Sequence, residues 1–164
     1  FRVSPNEGIS EPLSCQGAPA LKTSPRILVV EDSPDDGELL LRLLKKSKLD
    51  GQVKMIADGR LALEYLTDPH SEGEDLVAVF LDLHLPSLNG LELLKAIRSH
   101  DRLRHLSVII LTSSNSSTEI EKCRQLGVSS YVEKPIAFST FSKAVADSLQ
   151  SLPGDVAALH SPFD

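Results

Sequence analysis

The chain has 164 residues, 41% of them hydrophobic and 24% charged, with a formal net charge of −6. These values describe one ordinary globular unit with a real core, and they exclude a wholly disordered chain. The acidic balance excludes a general nucleic-acid binder, which needs a basic surface to meet phosphates, and no apolar run approaches the roughly 20 residues of a membrane span. No secretory leader is visible, and the start on Phe1 suggests a processed product or a piece of something longer. Two cysteines, Cys15 and Cys123, are too few for a disulfide framework and read as free thiols of a cytoplasmic protein.

Residues 1–24 hold Pro5, Pro12, Pro19, Gly8 and Gly17 and show no sustained period, so a flexible tail or linker is expected there. The same holds for 151–164, which carry Pro153, Gly154 and Pro162. The body between them, 25–150, is of single-domain size.

The body begins with RILVV at 26–30, a continuous β-branched run. Ser33-Pro34 then reads as an N-cap with proline at the first helical position, followed by an apolar face of Leu39, Leu40, Leu43 and Leu44. Asp35 and Asp36 suit the positive pole of that helix, and Lys45, Lys46 and Lys48 its negative one. QVKMIA at 52–57 is a weaker, more alternating strand, and Leu61, Leu63, Tyr65 and Leu66 mark a short second helix. LVAVFL at 76–81 is again a continuous run, followed by a helix marked by Leu88, Leu91, Leu94 and Ile97. SVIIL at 107–111 precedes a helix of Ile120, Cys123 and Leu126, closed by Gly127. VSSYV at 128–132 precedes a last helix of Phe138, Phe141, Val145 and Leu149.

Five strand-helix units in alternation predict an α/β domain with a central parallel sheet. The continuous runs suit strands covered on both faces, and the two alternating ones suit less covered positions.

Polar residues stand where these strands end: Glu31 and Asp32 after the first, Asp82 after the third, Thr112, Ser113 and Ser114 after the fourth, and Lys134 with Pro135 after the fifth. In a doubly wound sheet the carboxyl ends of the strands form the binding edge, so these groups are expected to converge. Two carboxylates about 4 Å apart repel by roughly 4 kcal/mol at an effective dielectric near 20. A cation must offset this, and an oxygen-only donor set suits Mg²⁺. Carboxylates, Mg²⁺, a hydroxyl and a lysine together suit phosphoryl transfer. Asp82, ending a central strand, is the best attacking group.

These motifs, ILVVED at 27–32, LDLHLP at 81–86 with Gly90, LTS at 111–113 and YVEKP at 131–135, stand in the order and spacing of the receiver (CheY-like) domain of two-component response regulators, which the chain resembles over about 25–150. The resemblance implies a flavodoxin-like (βα)5 fold with strand order 2-1-3-4-5. It implies that Asp82 accepts a phosphoryl group, and that Mg²⁺ is held by Glu31, Asp32, Asp82 and the backbone carbonyl of His84. It implies that Thr112 and Lys134 bind phosphoryl oxygens, Ser113 keeps the site open, Tyr131 is a switch, and Pro135 and Gly90 are structural, with a cis Lys134-Pro135 bond.

The implied donor is a sensor histidine kinase or a phosphotransfer protein, and the output is contact with a downstream protein target or a second copy through the face of helix 4, strand 5 and helix 5. The opening VEDSPDD at 30–36, the long segment 68–75 and RLRH at 102–105 are similar to small stand-alone regulators, several of which serve phytochrome-type kinases. Glu31, where aspartate is more frequent, should keep metal binding.

Other functions fit less well. A haloacid-dehalogenase-type phosphatase wants an acid two residues after its nucleophile, where His84 stands, and an FMN binder would not place two carboxylates where phosphate must sit. A phosphorylation-independent docking module would normally have lost one of the five site residues, and none is missing. Excision from a hybrid histidine kinase stays open. His100 and His105 read as a polar loop rather than a metal site, since no third ligand is near them in sequence.

Overall fold

The structure is a computed structural model that describes residues 26–47, 49, 53–71 and 75–150. Strands and helices alternate throughout: β1 (Ile27–Val30), α1 (Pro34–Lys46), β2 (Val53–Ile56), α2 (Gly59–Thr67), β3 (Ala78–Asp82), α3 (Gly90–Ser99), β4 (Ser107–Thr112), α4 (Ser117–Gln125), β5 (Ser130–Glu133) and α5 (Phe138–Gln150). The strands make one parallel sheet in the order β2-β1-β3-β4-β5, the expected doubly wound fold. The segments 1–24 and 151–164, and with them Cys15, lie outside the described residues.

Strand periodicity sorts the core into two layers. Leu28, Val30, Val79, Leu81, Val108 and Ile110 face one side, where α2, α3 and α4 cover them. Ile27, Val29, Phe80, Ile109, Leu111 and Val132 face the other, under α1 and α5. A side-chain period of two on strands covered on both faces explains why the sequence shows continuous apolar runs there. The two alternating strands, β2 and β5, are the sheet edges and are less buried.

Short polar side chains set the helix starts. Ser33 caps α1, accepting from the Asp36 amide, with Pro34 in the first turn. Asp58, Asn89 and Ser116 cap α2, α3 and α4. Gly127, at φ +68°, follows the end of α4 in the left-handed conformation that favours glycine.

Two apolar faces differ from expectation. On α2 the buried residues are Gly59, Ala62 and Leu66, while Leu61 is 56% exposed and Leu63 and Tyr65 pack only partly. The helix lies tight against its surroundings through small residues, so the larger leucine at 61 is turned outward. On α5, Phe141, Ala144 and Val145 are buried, but Phe138 is exposed. Its ring sits 4.6 Å from the Lys46 Nζ, a cation-π contact that joins the two helices of that face.

A half-buried arginine also ties the far edge together. The Arg98 guanidinium donates to the backbone carbonyls of Leu126, Arg104, Leu106 and Gly127 at 2.7–3.1 Å, linking α3 to the end of α4 and to the entry into β4.

Candidate functional site

Sheet register brings the site together. Val30 pairs with Leu81 on one side and Ile56 on the other, so Glu31 and Asp82 leave the sheet next to each other at its carboxyl edge. Glu31 and Asp82 are buried and Asp32 is exposed. One carboxylate oxygen from each of the three lies within 4.8 Å of the others. This is the one such metal-capable group among the described residues, and His100 and His105 belong to none.

Lys134, directly after β5, closes the cluster. Its Nζ lies 2.7 Å from Glu31 Oε2, 2.9 Å from Asp82 Oδ2 and 3.0 Å from Asp36 Oδ2. Three carboxylates therefore meet one ammonium, and Asp32 adds a fourth negative charge to the cluster. The donor set is oxygen only, partly open to water through Asp32, and short of positive charge, which fits a small hard divalent cation such as Mg²⁺.

Burial pushes the Glu31 carboxyl up, while hydrogen bonds from Lys134 and from the Ser33 amide oppose the rise. Burial alone would lower the Lys134 ammonium, but its bonds to Glu31, Asp82 and Asp36 outweigh that and hold it above the usual lysine range. Lys134 is thus a fixed positive charge beside Asp82. Asp82 itself accepts on both oxygens, from the His84 amide at 2.9 Å on Oδ1 and from Lys134 on Oδ2. The His84 ring is half exposed, its Nδ1 3.9 Å from Asp82 Oδ1.

The loop after β3 is held by close backbone packing. A Cβ on Gly90 would stand 2.1 Å from the Asp82 carbonyl oxygen and 2.7 Å from the Leu83 Cα. Ser87, at φ +65°, donates 2.6 Å to Asp58, which at the same time caps α2. Gly90→Ala is expected to cost about 2–3 kcal/mol by forcing the backbone apart, and to weaken Mg²⁺ binding because the end of β3 carries Asp82. Urea unfolding and a Mg²⁺ titration check both effects.

On the neighbouring strand Thr112 is fully buried, and its Oγ1 accepts from the Ser114 amide at 2.9 Å. The Tyr131 hydroxyl donates to the Ser114 carbonyl at 3.3 Å, so one residue joins Thr112 to Tyr131. Tyr131 is half-buried against the α4 side of the core, and burial raises its phenol. Ser113 is exposed at the strand end. The Lys134 amide donates to the Thr112 carbonyl at 2.8 Å, and the Lys134-Pro135 bond is cis, as expected.

The structure therefore joins Glu31, Asp32, Asp82 and Lys134 directly, and sets Thr112, Ser113 and Tyr131 along the same edge. Gly90 and Pro135 shape the loops that carry Asp82 and Lys134. Asp36 is an addition, since its fit to the helix dipole concealed a contact with Lys134. The signal available was its place in the first turn of a helix that starts two residues after Asp32. Cys123 is buried and free, its thiol pushed up by burial, and takes no part in the site.

Residues 27–146 match the family model of the response regulator receiver domain. A curated relative, the probable methanogenesis regulatory protein FilR2 of Methanothrix harundinacea, is 34% identical over 122 residues, covering 74% of this chain and 79% of that protein. Among solved structures, the bacteriophytochrome response regulator RtBRR superposes with a TM-score of 0.67 at 39% identity, covering 80% of this chain and 85% of that one. The Mn²⁺-bound form of response regulator Rcp1 does so with a TM-score of 0.62 at 30% identity, covering 73% and 88%.

Proposed function

The chain belongs to the response regulator receiver family, and from that premise we propose that Asp82 is its phosphoacceptor and that Glu31, Asp32, Asp82 and the His84 backbone carbonyl hold Mg²⁺. The observation that carries this is one contact set. Asp82 lies in a three-carboxylate cluster in which it and Glu31 are buried, with the Lys134 ammonium 2.9 Å from its Oδ2.

The transfer follows from these groups. A carboxylate oxygen of Asp82 attacks phosphorus of a phosphohistidine. The new O–P bond forms as the N–P bond breaks, and the departing imidazole nitrogen keeps the electron pair and is then protonated. Lys134 turns its ammonium to a phosphoryl oxygen, and the Thr112 hydroxyl hydrogen turns to another. Bound Mg²⁺ supplies the positive charge that offsets the clustered carboxylates and the phosphoryl oxygens. Glu31 and Asp32 hold position and do not react.

Thr112 and Tyr131 both bond to Ser114, so movement of Thr112 toward the phosphoryl group disturbs the Tyr131 contact. That is how phosphorylation would bias a two-state equilibrium at the face of α4, β5 and α5, changing affinity for a downstream target or a second copy of the chain. The receiver unit is taken as residues 25–150, and its site as Asp82 with Glu31, Asp32, His84, Thr112, Ser113, Tyr131, Lys134, Gly90 and Pro135.

Receiver domains are signalling domains. This one assists its own phosphorylation and slow hydrolysis but does not turn over an external substrate. It works with histidine kinases or phosphotransfer proteins, and the 39% identity to a bacteriophytochrome response regulator favours a phytochrome-type kinase in the cytoplasm. Among the described residues no helix is long and apolar enough to cross a membrane. A docking module that never accepts phosphate would not need Asp82, Lys134 and Thr112 all kept on one edge.

The test is incubation with acetyl phosphate, with and without Mg²⁺, followed by a phosphate-affinity gel. A shifted band is expected for the unaltered chain with Mg²⁺ and not for Asp82→Asn. No shift in the unaltered chain would favour the docking module.

A further inference from the structure

We propose that Asp36 is a positioning residue that occupies Lys134 before the phosphoryl group arrives and so restrains the rate at which Asp82 is phosphorylated. The proposal rests on the phosphoacceptor role of Asp82 given above. A lysine ammonium has three N–H donors, and here three carboxylates lie at bonding distance from it, Glu31 at 2.7 Å, Asp82 at 2.9 Å and Asp36 at 3.0 Å. An incoming phosphoryl oxygen must displace one of them.

The three contacts are not equivalent. The Glu31 side chain is 0% exposed and that of Asp82 6%, whereas that of Asp36 is 32% exposed. A carboxylate without water loses most when its partner leaves, and a partly solvated one loses least. The Asp36 contact is therefore the one exchanged for phosphoryl oxygen. Until then, Asp36 competes for the same donor and adds negative charge where an anionic group must enter.

Asp36 is held in this place by its helix start. Its amide donates to the Ser33 cap, Pro34 fixes the first turn, and the next residue, Gly37, is buried so close to Met55 that a Cβ would meet the Met55 Cε at 2.8 Å. Asp35 precedes it but is exposed and turned to solvent. The two neighbours thus separate a contact effect from a general charge effect.

The experiment measures phosphorylation by acetyl phosphate at saturating Mg²⁺ for the unaltered chain, Asp36→Asn, Asp36→Ala, Asp36→Glu and Asp35→Asn, with Asp82→Asn as blank. Asp36→Asn and Asp36→Ala are expected to react about two- to fivefold faster, the scale of losing one partly exposed ion pair. Asp36→Glu should return to the unaltered rate, which a merely structural defect would not do, and Asp35→Asn should leave the rate unchanged. If the unaltered chain takes up no phosphoryl group, the phosphoacceptor role itself fails. If it does, and Asp36→Asn reacts no faster or Asp35→Asn gives an equal gain, the positioning role is overturned.

Discussion

Lys134→Met is expected to cost about 3–5 kcal/mol of folding stability at pH 7 without divalent cation, the loss seen when one partner of a buried ion pair is removed. The Lys134 side chain is 12% exposed and faces Glu31 and Asp82, which have almost no contact with water. Without the ammonium, two adjacent carboxylates stay buried with nothing to offset them. Burial already pushes the Glu31 carboxyl up, and loss of Lys134 removes its main opposing influence, so it rises further.

The sign of the pH dependence follows. A carboxyl whose folded pKa lies above its unfolded value opposes folding in full above the folded value, and that cost declines as pH falls below it and is gone below the unfolded value. The deficit of Lys134→Met should therefore shrink on acidification. It should also shrink when Mg²⁺ is added, since a cluster without the ammonium binds the cation more tightly than the unaltered one and gains more stability by mass action. Chemical denaturation at pH 7 and at pH 5, each with and without Mg²⁺, measures all of this. A variant within about 1 kcal/mol of the unaltered chain in every condition would mean that Lys134 is not what offsets the cluster.

Phe141→Ala is expected to cost a similar 3–5 kcal/mol for a different reason. Its ring is fully buried and stacks on Phe80, with centroids 5.4 Å apart, where α5 covers the sheet. Truncation leaves a cavity between α5 and β3 and removes an aromatic pair. The loss should appear in the urea midpoint and be insensitive to Mg²⁺, in contrast to Lys134→Met. A cost below about 1 kcal/mol would show that the layer collapses around the gap.

The contrast between these two variants shows which parts of the molecule can be read in one dimension. Buried parallel strands need apolar residues on both faces, so β1, β3 and β4 appear as continuous runs and the edge strands β2 and β5 as weaker ones. Carboxylates at the end of such a run have no packing reason to be there, so Glu31, Asp32 and Asp82 stand out before any fold is known. Lys134 is marked by the proline that follows it.

Other features depend on three-dimensional neighbours that local pattern does not encode. The α2 face is set by how closely Gly59 and Ala62 let the helix approach, not by where its largest apolar residues fall, and so Leu61 points outward. Asp36 satisfies the helix dipole and Lys134 equally well, and only the register of β5 against β4 reveals the second partner. Arg98 looks like a solvated charge at a helix end, yet it serves four backbone carbonyls of other segments. Its partners are oxygen atoms that every residue carries, which leaves no trace in residue identity.

The central claim is that one side chain, Asp82, carries the phosphoryl group. The chain is treated with acetyl phosphate and Mg²⁺, reduced with borohydride, digested, and analysed by mass spectrometry, since an acyl phosphate at aspartate is reduced to homoserine. Conversion confined to position 82, and absent without Mg²⁺ or acetyl phosphate, is the result expected. Conversion at Glu31, Asp32 or Asp36 instead, or at no carboxylate, would contradict it.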